Sequence, residues 1–367
     1  MTKDELIAVL RLQKIPHIGD ITAKKLISHC GSPMAVFSDK VNHLQKIEGI
    51  GTVTLGGLHK KEYLHAAEAE YEFILQNGIS YSYFLDPEFP NYLKHCIDGP
   101  ILIFKKGDIN LKDKKIISIV GTRNNTAYGS AFCEKLIEDI APLDPVIVSG
   151  FAYGIDICAH RAALKNGLQT IACLAHGLNQ IYPKSHHRYV DEIRKNGGFL
   201  TEFWSTSNPD RENFLKRNRI IAGMSEATIV IESAEKGGSL VTADIANSYN
   251  RDVFAVPGRV KDKYSLGCNN LIKGQKAHML TSAGDLVYIM GWQPEENKAV
   301  TVQKQLFVEL DDNEKIIYSF LQKDGRQLVD QIALKCQMPV FKTVSSLLNM
   351  EMKGMIRPLP GKQYEAI

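Results

Sequence analysis

The chain has 367 residues, of which 44% are hydrophobic and 23% are charged, an ordinary composition for a globular protein. It is longer than one hydrophobic core usually serves, so we expect two or three domains. The formal net charge of +3 is too small to indicate nucleic-acid binding by itself, so that inference depends on local clusters of cations.

The seven cysteines are scattered, with neither a Cys-x-x-Cys pair nor nearby histidines at ligand spacing. We therefore expect no metal site, no disulfide framework and no bound cofactor. No apolar run approaches the ~20 residues of a membrane span, and the N-terminus lacks a signal-peptide pattern. The sequence predicts a reduced, cytoplasmic protein that does not insert into a membrane.

Residues 1–65 read as short helices with two similar glycine turns, at 15–19 and 47–51. This pattern predicts a helical domain of the helix-hairpin-helix, SAM-like type. The free N–H groups of such turns can bind a backbone phosphate, but the same module can serve packing alone, and both interpretations stay open. Residues 66–110 are predicted to be a connecting segment that packs on the central domain.

Strands and helices alternate from residue 111 to residue 290, which is typical of βα units on a parallel sheet. The sequence predicts strands at 116–120, 146–149, 170–174, 199–202, 228–232, 253–256 and 278–280. The helices between them are amphipathic. We therefore predict an α/β protein with a Rossmann-like, parallel-sheet central domain.

Glycine turns follow the first three strands of this domain and include Gly121, Gly150 and Gly154. Ligands of open parallel sheets bind outside the carboxyl ends of the strands, where glycine permits close approach and a following helix offers N–H groups. The turns are neither the Gly-x-Gly-x-x-Gly of dinucleotide binders nor a Walker A loop. They predict a phosphate site with Arg123 at the tip of the first turn, although Arg123 could instead pair with a nearby carboxylate on the surface.

The stretch 208–223 is the most informative basic segment. Arg211, Phe214 and Lys216 near the start of its predicted helix place cations beside an aromatic ring, which is the combination that single-strand binding uses. Arg217 falls within the apolar arc of the same helix, so it needs a buried carboxylate or an anionic ligand. Glu202 and Glu232, at neighbouring strand ends, are the candidate carboxylates.

Two further residues are candidates for ligand binding and for proton transfer. Lys184, after the Tyr182-Pro183 pair, is predicted to be another cation on the ligand rim. His160 follows Asp156 by four residues on a helix, so it is interpreted as a structural partner of that carboxylate, with a proton carrier as the alternative.

Residues 291–311 are polar and lack regular periodicity, which is typical of a linker. Helices are predicted at 313–323, 328–336 and 341–353, followed by a hairpin or wing at 355–367. Residues 312–367 thus resemble a winged helix. The third helix carries Lys342 and Lys353 against Glu351, so contact with protein is at least as well supported as contact with DNA.

Seven motifs occur in a fixed order, and as a set they resemble the DNA-processing protein A family, DprA or Smf. They are Val120-Gly-Thr-Arg123, Ser149-Gly-Phe-Ala-Tyr-Gly-Ile-Asp-Ile-Cys-Ala-His160, Tyr182-Pro183, Arg217-Asn-Arg-Ile-Ile-Ala-Gly223, Gly238-Ser-Leu-Val-Thr-Ala243, Phe254-Ala-Val-Pro-Gly258 and Gly267-Cys-Asn-Asn-Leu-Ile272. The resemblance implies a bacterial cytosolic protein that binds and protects incoming single-stranded DNA during natural transformation. It further implies that the protein helps load RecA recombinase and acts as a homodimer, with Arg123, Lys184, Arg211 and Phe214 in the DNA pocket.

Our hypothesis from the sequence is a non-enzymatic binder of single-stranded DNA. The predicted DNA-binding residues are Gly121, Arg123, Gly150, Gly154, Lys184, Arg211, Phe214, Lys216 and Arg217. One alternative is a Rossmann-like nucleotide or ribose-phosphate hydrolase with Glu202 or Glu232 as the acid/base group. Another is a protein adaptor that works chiefly through its winged helix.

Overall fold

The computed structural model describes residues 1–292, 310–359 and 363–367. The chain divides into two compact units, Met1–Pro294 and Glu295–Ile367. Most of the predicted linker at 291–311 lies outside the described residues.

The first unit begins with six helices. Their bounds are α1 (Lys3–Lys14), α2 (Asp20–Cys30), α3 (Pro33–Ser38), α4 (Val41–Leu44), α5 (Thr52–Leu55) and α6 (Lys61–Gln76). The two predicted glycine turns lead into α2 and α5, whose N-caps are Gly19 and Gly51. Helix α6 continues through residue 65, and its buried Ile74 shares one apolar core with Leu10 of α1 and Leu26 of α2.

The segment after α6 adds two strands to the edge of the central sheet. Strand β1 (Ser80–Tyr83) pairs antiparallel with β2 (Leu102–Gly107), and the short helix α7 (Asn91–Lys94) lies between them in sequence. Strand β2 in turn pairs antiparallel with the strand of the central domain at Gly197–Thr201. Phe104 of β2 packs in the same core as the N-terminal helices, so this segment joins helices and sheet.

Seven parallel strands form the rest of the sheet. They are β3 (Ile116–Val120), β4 (Val146–Ser149), β5 (Thr170–Cys173), β6 (Gly197–Thr201), β7 (Ala227–Val230), β8 (Asp252–Ala255) and β9 (His278–Met279). The strand order is β1-β2-β6-β5-β4-β3-β7-β8-β9. Each strand predicted in the central domain is present, with ends within two residues of the predicted ones, and the predicted α/β class is confirmed.

Helices cover both faces of the sheet. They are α8 (Ala127–Ile140), α9 (Ile155–Lys165), α10 (Val190–Lys195), α11 (Arg211–Met224), α12 (Gly238–Ser248), α13 (Leu266–Lys273) and α14 (Ala283–Met290), with 3-10 turns at Ala141–Leu143 and Lys184–Tyr189. Alternate side chains of a strand point to opposite faces. Ile117 therefore packs with α8 and α9, whereas Val148 packs with α11 and α12. Burial on both faces explains why these strands are apolar runs.

The second unit is a winged helix, as predicted. Its elements are α15 (Asp312–Asp324), β10 (Gln327–Leu328), α16 (Val329–Lys335), α17 (Val340–Met352), β11 (Ile356–Leu359) and β12 (Gln363–Ala366). The three strands pair antiparallel in the order β10-β12-β11, and Ile317, Leu347 and Ile356 lie in a separate apolar core.

Within the residues that the structure describes, no helix combines the length and the apolar character that crossing a bilayer requires.

Candidate functional site

The site lies where the strand order of the sheet reverses. From β3 the chain builds β4, β5 and β6 on one side, and later places β7, β8 and β9 on the other. Open α/β sheets bind ligands at this point, outside the carboxyl ends of the strands. A cavity of about 560 Å³ is found there, and we call it the Arg123 cavity. Its walls are the turn after β3, the start of α11 and the start of α12.

The Arg123 cavity is lined by more cations than carboxylates. Four cations, Arg123, Arg211, Arg217 and Lys236, stand against two carboxylates, Asp156 and Asp210, which leaves a net charge of +2. The Asp210 carboxylate caps α11 by accepting from the Asn213 N–H at 2.8 Å, so it is already engaged. The surplus positive charge makes this cavity suited to a polyanion.

An aromatic ring stands among these cations. Phe214 is half-buried, and the guanidinium carbons of Arg123 and Arg217 lie 5.2 Å and 5.7 Å from its ring centroid. The ring of Tyr182 lies 5.9 Å from Phe214, which the sequence analysis did not anticipate. The cations hold Phe214 at the wall of the cavity, where part of its surface remains available for stacking.

Arg217 has partners within the protein, but they are not the predicted carboxylates. The residue is only 4% exposed, and its Nη1 donates to the carbonyl oxygens of Gly150, at 2.6 Å, and Cys173, while its buried Nε has no hydrogen-bond partner within the described residues. Its nearby charge partner is the buried Asp156; burial raises the pKa of this carboxyl group, and the charge of Arg217 opposes that rise. The prediction that Arg217 pairs with Glu202 or Glu232 is therefore wrong.

Those two glutamates have other partners. Glu202 accepts from Arg219. The Glu232 oxygens accept from the backbone N–H and the hydroxyl of Thr126, at 2.8 and 2.5 Å. Position at a strand end was not enough to identify the partner of Arg217, because several carboxylates meet at the same edge of the sheet.

The three glycines of the predicted site are required by packing within the protein. A Cβ at Gly121 would lie 2.5 Å from the Ile155 side chain, and one at Gly150 would lie 2.6 Å from both the Arg217 and Asp156 side chains. Gly154 has φ of +81°, and a Cβ there would overlap the Thr122 carbonyl oxygen. These contacts account for the glycines without a ligand, so binding of DNA by their backbone amides stays a prediction.

Two of the predicted cations do not line the Arg123 cavity. Lys216 lines a different cavity, together with Asp20 and Glu202, because successive residues of a helix point about 100° apart. Lys184 is exposed and lines a third cavity, beside His187 and Arg194. The structure thus brings Arg123, Arg211, Phe214 and Arg217 to one cavity, whereas Lys184 and Lys216 line two others.

The start of α12 supplies a wall that the sequence analysis did not assign. Its N-cap, Gly237, provides no side-chain hydrogen bond, and Gly238 and Ser239 line the Arg123 cavity beside Lys236. Open N–H groups at a helix start favour an anion. The signal was present in the sequence as Lys236-Gly-Gly-Ser239, but only the fold shows that this turn faces the turn after β3.

His160 is neither a partner of Asp156 nor a proton carrier at a surface. Its Nδ1 lies 2.7 Å from the Thr170 hydroxyl, and its ring packs edge-on against Phe151. The side chain is fully buried, and burial lowers the pKa of His160 to about 3, with the neighbouring charges of His186 and Arg217 adding to the effect. His160 is therefore a neutral core residue.

Known proteins resemble this chain over both units. Residues 80–291 match the family described as DNA recombination-mediator protein A, and residues 304–362 match the DprA winged helix domain. DNA processing protein DprA of Bacillus subtilis (strain 168) is 41% identical over 212 residues, which are 58% of this chain and 71% of that relative.

Two solved structures are also similar to this chain. DNA processing protein A from Streptococcus pneumoniae is 30% identical with a TM-score of 0.66, covering 78% of this chain and 98% of that one. The protein of the same name from Helicobacter pylori, whose structure addresses its single-stranded DNA binding mode, is 30% identical with a TM-score of 0.52, covering 58% of this chain and 96% of that one.

Proposed function

The chain belongs to the DNA recombination-mediator protein A family, as its seven motifs indicated, and from that premise we propose that it binds single-stranded DNA in the Arg123 cavity. The observation that carries the proposal is that Arg123 and Arg211 line the same cavity as the half-buried ring of Phe214, with the Arg123 guanidinium 5.2 Å from the centroid of that ring. Guanidinium groups suit phosphate oxygens, and a ring accepts any base by stacking, so we expect little sequence preference.

The role of this binding follows from the family. We propose that the protein binds incoming single-stranded DNA in the cytoplasm during natural transformation, protects it and helps load RecA recombinase. We further propose that it acts as a homodimer and catalyses no reaction. The structure of the Helicobacter pylori relative supports the choice of single-stranded DNA as the ligand.

The two glutamates that the hydrolase alternative requires as acid/base groups are engaged by other residues. Glu232 lies 3% exposed with its oxygens bound by Thr126, and Glu202 lines a separate cavity and pairs with Arg219. Asp156, the buried carboxylate at the Arg123 cavity, accepts from the Ala152 N–H at 3.3 Å and balances the charge of Arg217. These contacts favour a binding site over a hydrolytic one.

The test is a fluorescence-polarisation titration of labelled oligothymidylate, with duplex DNA and free thymidine monophosphate as competitors. We expect tight binding that neither competitor displaces. Arg123→Ala should weaken the binding and reduce the slope of log K against log salt by about 0.7, the value for one lost phosphate contact on a single strand. Arg161→Ala removes the same charge from an exposed position outside the Arg123 cavity and serves as the matched control.

Two results would contradict the proposal. Displacement by micromolar mononucleotide would favour the hydrolase alternative. Equal affinity and equal salt slope in Arg123→Ala and Arg161→Ala would remove the Arg123 cavity from the binding site.

A further inference from the structure

A second basic and aromatic groove lies next to the Arg123 cavity. It has a volume of about 970 Å³, and we call it the β8 groove because the loop after β8 forms its main wall. Its lining includes the aromatic and charged residues Tyr128, Glu232, Arg259, Lys261, Lys263 and Tyr264. None of these residues belongs to the DNA-binding site predicted from the sequence.

The two cavities share their walls. The loop after β3 contributes Arg123 to the first cavity, and the first turn of α8, which follows that loop, contributes Tyr128 to the β8 groove. The loop after β7 is shared in the same way, since Ser233 lines the Arg123 cavity and its N–H donates to the carbonyl oxygen of Tyr264 at 2.7 Å. A polymer that leaves the Arg123 cavity across these loops would enter the β8 groove.

The cations of the β8 groove are available to a ligand. Arg259, Lys261 and Lys263 are exposed, and across the described ranges no carboxylate lies within ion-pair distance of any of them. Of the two carboxylates that line the groove, Glu232 is buried and bound by Thr126, whereas Asp262 is exposed. Cations that bind no protein carboxylate add nothing to stability through ion pairs, but they attract phosphate.

The aromatic rings of the β8 groove are suited to stacking. Tyr128 is 52% exposed, yet its hydroxyl donates to the Pro257 carbonyl oxygen at 3.1 Å, which holds the ring at the groove. The Lys263 ammonium lies 5.5 Å from the ring centroid of Tyr264. A fixed, exposed ring beside cations is the arrangement on which single-stranded nucleic acids stack their bases.

We propose that the β8 groove is a second subsite for the same DNA strand, in which Lys261 and Lys263 bind its phosphates and Tyr128 stacks one of its bases. The inference rests on the proposed function, because the strand is held first in the Arg123 cavity. It predicts that a short oligonucleotide fills the Arg123 cavity alone, whereas a longer one occupies both.

The experiment compares two labelled oligothymidylates, of about 5 and about 15 nucleotides, which span the range of site sizes known for single-strand binders. In the double variant Lys261→Ala/Lys263→Ala, the salt slope for the long strand should fall by about 1.4, for two lost phosphate contacts, and the slope for the short strand should not change. Tyr128→Ala should weaken binding of the long strand by about ten-fold with little change in slope.

The control variant Lys112→Ala/Lys195→Ala removes the same charge from exposed positions outside the β8 groove. Melting temperatures establish that every variant is folded. Equal loss for both lengths, or a loss no larger than in the control, would overturn the second subsite. Those results would leave the proposed function intact as long as Arg123→Ala still weakens binding of both strands.

Discussion

Phe214 shows how one residue takes its role from its neighbours. An aromatic residue on an amphipathic helix usually enters the core, but Phe214 stays half-buried between two guanidinium groups at the wall of the Arg123 cavity. The ring positions the cations, and the cations position the ring. A charged group and a stacking surface are thus offered to a ligand side by side.

Charge and stacking at this position can be separated by mutation. Phe214→Ala should cost about 1–3 kcal/mol of binding free energy to oligothymidylate, because a stacking surface is lost, while the salt slope should stay unchanged. Phe214→Tyr keeps the ring and should bind nearly as wild type does. Titrations at several salt concentrations measure both quantities. A fall in slope equal to that of Arg123→Ala would show that Phe214 acts only by holding Arg123 in place.

His160 predicts a dependence of stability on pH. Its pKa is lowered from 6.5 to about 3 in the folded protein, mainly by burial, so the unfolded chain binds a proton in this window and the folded chain does not. Above pH 6.5 His160 is neutral in both states and costs no stability. Between pH 6.5 and pH 3 it lowers the free energy of unfolding by about 1.4 kcal/mol for each unit by which the pH falls.

Urea unfolding at a series of pH values measures this dependence. His160→Gln should flatten the decline of stability between pH 6.5 and 3, whatever its stability at neutral pH. The readout is the difference in slope between wild type and variant, since other histidines contribute to both proteins. Parallel curves would show that His160 is protonated within the folded protein.

At the scale of secondary-structure elements, the first glycine turn serves packing against the sheet. Asp20, in the first turn of α2, accepts from the Ile101 N–H at 2.9 Å and from Arg219 of α11 at 3.2 Å. Arg219 also binds Glu202, next to β6. The carboxylate at this helix start is thus bound by groups of the sheet and of α11, and its negative charge opposes the approach of a phosphate, which favours the packing interpretation for this turn.

Breaking this network should be costly. Arg219→Ala leaves Asp20 and Glu202 nearly buried without their common cation, and we expect a loss of about 3–5 kcal/mol in the free energy of unfolding. Urea denaturation measures it, with the exposed Arg161→Ala as the control. A loss below about 1 kcal/mol, the range of exposed pairs, would mean that water replaces the guanidinium and that the network holds little of the structure together.

At the scale of the whole molecule, the proposed DNA contacts all lie in the first unit. The third helix of the winged helix, α17, exposes Phe341, Leu348 and Met352, and its neighbour Lys353 pairs with Glu314 at 2.6 Å. An apolar surface with few cations is typical of a protein contact rather than a DNA contact. The adaptor alternative can therefore coexist with DNA binding in the first unit.

Truncation of the chain tests whether the first unit alone accounts for DNA binding. A chain that ends at Trp292 keeps the sheet and both cavities, so it should bind oligothymidylate with the affinity and salt slope of the full chain. Fluorescence polarisation on both proteins checks this, and circular dichroism checks the fold of the shorter one. A marked loss of affinity in a folded truncated protein would assign DNA contacts to the winged helix.

The sequence by itself determined the features that depend on local patterns. Apolar runs and amphipathic periods located the strands of the central sheet and the helices of the winged helix, and the turn after β3 placed Arg123 at a carboxyl end. Arg211 and Phe214 share one turn of a helix, so their proximity also followed from sequence spacing.

Only the tertiary structure decided which distant segments meet. It placed Arg217 near Asp156 rather than near a glutamate, put Lys184 and Lys216 on the walls of other cavities, and brought the start of α12 to the wall of the Arg123 cavity. It also joined β1 and β2 to the sheet edge. The physical reason is that charge pairing and strand order depend on contacts between residues far apart in the chain, which no local periodicity records.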